Sequence, residues 1–96
     1  MHRAWKNFFQ EKRRLLLFLI YGMPKTLSGK QVIKILEKEF GFFFVSQKGS
    51  HAKYEKIVSG RKIVTIVPLH RELARGTLRS ILDLAEIDEK EFWKYA

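Results

Sequence analysis

Between residues 28 and 41 the apolar positions fall at helical intervals. Ile33, Leu36 and Phe40 recur along one face, joined by Val32. Ser28 stands just before them with Gln31 three residues later, the spacing of a capping box. Gly41 follows as a natural C-terminal stop. The pattern predicts a helix over residues 29–40. The period then changes. Residues 42–47, FFFVSQ, are aromatic and β-branched and too short for a stable helix, so they predict a strand. Gly49-Ser50 reads as a turn. Residues 51–58, HAKYEKIV, alternate as a second strand, and Ser59-Gly60 reads as a tight hairpin. Residues 61–69, RKIVTIVPL, are rich in Val, Ile and Thr and predict a third, with Pro68 arguing against a central ladder position at that end. From about Thr77, the residues Leu78, Ile81, Leu82 and Ala85 make a second helical stripe. Asp88 and Glu91 repeat the capping-box spacing ahead of a short last helix carrying Phe92 and Trp93.

This order, helix–three strands–helix, predicts the α+β class. Consecutive strands joined by two-residue turns form an antiparallel meander. With so few elements, both main helices cover one face of the three-stranded sheet and the other stays open. Side-chain parity assigns the faces of the second strand. His51, Lys53 and Glu55 share one side, Ala52 and Tyr54 the other. The first set is polar, so it is expected on the open face.

Composition narrows the picture. Ninety-six residues suit one domain with one modest core. A hydrophobic fraction of 46% fits a folded chain. The absence of cysteine excludes disulfides and thiolate metal sites, and fits a reducing cytoplasm. The net charge of +9 points to nucleic acid, an anionic membrane or an acidic protein partner. Residues 1–22 carry five Lys/Arg and one Glu, leaving fourteen Lys/Arg against nine acids, or +5, in residues 23–96. The apolar run Leu15 to Tyr21 is shorter than the roughly 20 residues that span a bilayer, and no signal-peptidase site follows it. It suits a short interfacial helix with Trp5, Phe8 and Phe9, or a leader translated from too early a start. The second reading is preferred. It makes Met23 the natural first residue and residues 23–96 a domain complete without the leader.

Candidate chemistry is sparse. His51 follows the Gly49-Ser50 turn with Lys48 and Lys53 on either side. From pattern alone, an exposed histidine is more often an ordinary polar residue, yet histidine is the side chain suited to move a proton near neutral pH. His70 follows a strand end and has the same ambiguity; His2 lies in the leader and is assigned nothing. No histidine pair stands at ligand spacing and no phosphate-cradling glycine loop appears, so no metal or other cofactor is expected. The acids of residues 83–91 read as a solvated helical face. Phe42, Phe43 and Phe44 are able to stack on bases, but most of them are expected in the core.

Two motifs in order, QKGSH at 47–51 and GTLRSIL at 76–82 with a strand hairpin between, carry a family resemblance. The chain from Met23 to its end resembles the HicA family of bacterial and archaeal toxins. The resemblance implies a fold similar to a double-stranded-RNA-binding domain and an mRNA interferase activity. It implies that His51, the histidine of Gly-Ser-His, is catalytic, and that the partner is a HicB-like antitoxin. The chain departs from the family pattern in Ala52 after the histidine, in the Val58-Ser59-Gly60 hairpin and in the leader.

RNA carries its own nucleophile, the 2′-hydroxyl, and a neutral imidazole suits removal of its proton. On this reading His51 is the base, Lys48 and Lys53 hold the phosphate, and the Gly49-Ser50 turn completes the RNA-binding set by letting the backbone approach. No metal is needed. His70 or a lysine is a candidate to protonate the leaving oxygen, though nothing in the sequence brings them close. The alternative is a non-catalytic module that binds double-stranded RNA by shape, leaving His51 incidental. A third reading, a membrane-surface peptide fused to a small domain, rests on the leader alone.

Overall fold

The computed structural model describes residues 26–96, so the expectations for the leader, for Leu15–Tyr21 and for Met23 lie outside the described residues. Its elements are α1 (Gly29–Phe40), β1 (Phe43–Lys48), β2 (His51–Val58), β3 (Arg61–Pro68), α2 (Arg75–Ala85) and α3 (Glu89–Trp93). The α+β meander expected from the sequence is present: three antiparallel strands in the order β1-β2-β3.

Local chemistry explains most boundaries. At the start of α1, Gln31 N–H donates to Ser28 Oγ at 3.1 Å and Ser28 N–H donates to Gln31 Oε1 at 2.9 Å. Two amides that a helix start leaves orphaned are thereby satisfied. At its end Gly41 takes the left-handed conformation, φ 73°, and its N–H and that of Phe42 turn back to the Leu36 carbonyl. The same spacing at Asp88 and Glu91 does not form a box. Asp88 makes no side-chain cap, and Glu91 Oε1 instead accepts from Lys94 Nζ at 2.9 Å. The second helix starts two residues ahead of Thr77, at Arg75, behind Ala74, which has no side chain to cap with.

The core lies on one sheet face. Val32 and Leu36 of α1, with Leu78, Ile81, Leu82 and Ala85 of α2, bury against Ala52, Tyr54, Ile63 and Val67, and Phe92 of α3 closes the end. Thr65 is also buried there, and its Oγ1 donates to the Ile81 carbonyl at 2.8 Å. The hydroxyl is therefore satisfied rather than stranded in an apolar layer. Burial pushes the Tyr54 phenol above its ordinary pKa, and the charge of Glu37 adds to it.

Two expectations need correction. Of the three phenylalanines expected mostly in the core, only Phe42 is buried; Phe43 and Phe44 are 47% and 51% exposed. Phe43 pairs with Glu55 and so faces the open side, while Phe44 faces the core side of an edge strand whose register shifts between Phe44 and Ser46. Glu55 points to the open face as parity requires, yet it is only 7% exposed. Its carboxylate sits between Lys53 Nζ at 3.8 Å and Lys62 Nζ at 3.7 Å. Two nearby cations offset the cost of holding that charge away from water.

Candidate active site

The β2–β3 hairpin determines what meets His51. Its two-residue turn at Ser59-Gly60 pairs Val58 with Arg61 and carries the register without a break to His51 opposite Pro68. On the other side His51 pairs with Lys48 across the Gly49-Ser50 turn. Gly49 has φ 57°, which a side chain would strain, and it lets the chain reverse within two residues. His51 is exposed at the rim of the open face, beside Lys48 and two positions from Lys53. Among the described residues Lys48 has no ion-pair partner, whereas Lys53 leans toward Glu55.

The end of β3 is tied down from two directions. Leu69 N–H donates to the Ser50 carbonyl at 2.7 Å, which locks the strand end to the turn before His51. Gly29 N–H donates to the His70 carbonyl at 2.9 Å, and Leu73 N–H to the Leu27 carbonyl at 2.8 Å. Gly29 packs so closely that an added Cβ would overlap the Pro68 carbonyl oxygen. These contacts place His70 beside His51. The two imidazole rings lie edge to face with centroids 6.4 Å apart, both exposed. Neither makes a side-chain hydrogen bond among the described residues.

The structure thus brings together Lys48, Gly49, Ser50, His51 and Lys53, and adds His70, whose position the sequence left open. The signal was present in the hairpin: a two-residue turn at 59–60 fixes residue 68 opposite residue 51, so residue 70 must fall just beyond it. Phe43, named as able to stack on bases but expected with its neighbours mostly in the core, is exposed. It pairs with Glu55 and therefore stands on the face that carries His51 and Lys53. Among the described residues no three His, Cys, Asp or Glu side chains cluster in a way that would hold a metal ion.

A family model described as the HicA toxin of bacterial toxin–antitoxin systems matches residues 29–87. The chain belongs to the HicA toxin family. The matched span begins at the first residue of α1 and ends beyond α2, so it contains the whole sheet, both main helices and both exposed histidines. HicA membership makes the chain the toxin member of a toxin–antitoxin pair, with an antitoxin as its partner. No curated protein matches the chain significantly. No helix among the described residues is long and apolar enough to cross a membrane.

Proposed function

We propose that this HicA family toxin is an endoribonuclease that cleaves mRNA in the cytoplasm, without a metal ion, and that His51 is its general base. The observation that carries this reading is the placement of His51. It is exposed at a tight turn, on a face that also carries Lys48 and Lys53. In its neutral form the imidazole takes the proton of a ribose 2′-hydroxyl, and the freed oxygen attacks the adjacent phosphorus. Lys48 is the first phosphate anchor, being exposed and uncommitted among the described residues. Lys53 contributes more weakly because Glu55 competes for its ammonium group. Gly49 and Ser50 let the RNA backbone come close to the turn. A HicB-like antitoxin holds the activity in check.

Purified protein incubated with an mRNA transcript in EDTA should yield discrete fragments, and His51→Ala should yield none. The substitution should change stability by no more than about 0.5 kcal/mol, since the side chain is exposed and makes no hydrogen bond among the described residues. Fragments from His51→Ala at the parental rate would remove His51 from the mechanism. Tight RNA binding by the parent with no fragments at all would favour the shape-reading module instead.

A further inference from the structure

Resting on the reading of His51 as base, we infer that His70 is the acid of the same reaction and protonates the leaving 5′-oxygen. The two rings are exposed, 6.4 Å apart centroid to centroid, and lie edge to face. A phosphodiester seated across the exposed pair from the solvent side has an imidazole toward each end. Each ring is then able to reach one of the two oxygens that lie in line across phosphorus, at a hydrogen-bond distance of about 3 Å.

The backbone around His70 is built for position. Its carbonyl accepts from Gly29, the residue before it donates to Ser50, and Leu73 beyond it donates to Leu27. Three backbone hydrogen bonds therefore fix a loop residue whose side chain is exposed. Such fixation aligns a reacting group rather than filling a core. Lysine competes poorly for the role. Lys53 is drawn to Glu55, and Lys48 lies across the turn from His51, on the side away from β3.

The step balances. His51 accepts the proton from O2′, and the O2′ electron pair forms the new bond to phosphorus. The bond from phosphorus to O5′ breaks, and O5′ takes a proton from the His70 imidazolium. The products are a 2′,3′-cyclic phosphate and a free 5′-hydroxyl. His51 ends protonated and His70 neutral, so the pair resets by exchange with water.

The test uses two versions of one short RNA, made around a cut site first mapped on an mRNA transcript. In one the bridging 5′ atom at the cut is oxygen; in the other it is sulfur, which leaves as a thiolate without being protonated. His70→Ala and His70→Gln, each confirmed folded by its melting curve, should cut the oxygen RNA about a hundredfold or more slower than the parent. Both should cut the sulfur RNA within about threefold of the parental rate, while His51→Ala fails on both RNAs. Parental cutting of the oxygen RNA by the His70 variants overturns the inference. So does an equal loss on both RNAs, which would make His70 a positioning residue. If His51→Ala cuts as the parent does, the base assignment falls with it, and that result is distinct from failure of His70 alone.

Discussion

At the scale of single residues, two glycines near the site carry opposite expectations. Gly29 has no unusual backbone angle; its constraint is contact. An added methyl would overlap the Pro68 carbonyl, and backbone cannot move aside as a flexible side chain does. Gly29→Ala should therefore cost roughly 2 kcal/mol or more in chemical denaturation. It should also slow RNA cleavage, because the hydrogen bond from Gly29 to His70 is displaced with it. Gly49 is the reverse case. Nothing lies within 4 Å of its would-be Cβ, but φ is 57°. Gly49→Ala should cost about 1 kcal/mol through backbone strain alone. If Gly29→Ala proved as mild as Gly49→Ala, the close packing of α1 on the end of β3 would be wrong.

At the scale of elements, one ion pair fastens the sheet to a helix end. Arg61 opens β3, and its guanidinium donates to both carboxylate oxygens of Glu86 at 2.6 and 2.9 Å. Glu86 caps the C-terminus of α2 in a left-handed conformation, φ 57°. The hydrogen bond from Arg61 holds the Glu86 carboxyl below its ordinary pKa of 4.5. A carboxyl whose folded-state pKa is depressed stabilises the fold above its ordinary value, and the contribution is lost as pH falls through the lower folded value. The stability gap between the parent and Glu86→Gln should thus be present at neutral pH and shrink as pH falls below the ordinary value of 4.5, in denaturation curves taken across that range. Because the pair is exposed, the gap should also shrink in high salt. Sequence reading reached these elements where the signals were local. Ser28 and Gln31 cap α1 because both partners lie within one turn. The identical spacing at Asp88 misled, since α3 is a five-residue helix and Glu91 has Lys94 within reach. Parity placed Glu55 on the correct face but could not show its burial. That depends on Lys62, a neighbour supplied by the next strand. The meeting of His51 and His70 lay between these cases: hairpin register implied it, but the ties from Gly29 and Ser50 are long-range and left no mark in the local pattern.

At the scale of the whole molecule, the face that carries His51 is both basic and apolar. Phe43, Ile57 and Ile66 stand on it, 47%, 55% and 37% exposed, alongside Lys48, Lys53 and Lys62. Apolar side chains gathered on one surface of a small protein are a sign of a partner. A toxin–antitoxin pair supplies one. The net positive charge, +9 in all and +5 over residues 23–96, favours an acidic antitoxin, since opposite charge speeds encounter and makes its rate fall with added salt. Covering this face would shut the site and bury the exposed apolar residues in one step. A specific and stable cover should bury about 1,200–2,000 Å² in total. Hydrogen exchange on the toxin–antitoxin complex should therefore show new protection over residues 47–56, and His51 should resist diethyl pyrocarbonate. Association measured at rising salt should slow, while the protected segment stays the same. Protection confined to α2 and α3, with His51 still open to modification, would mean that the antitoxin inhibits without covering the histidines. The apolar residues of the open face would then need another occupant.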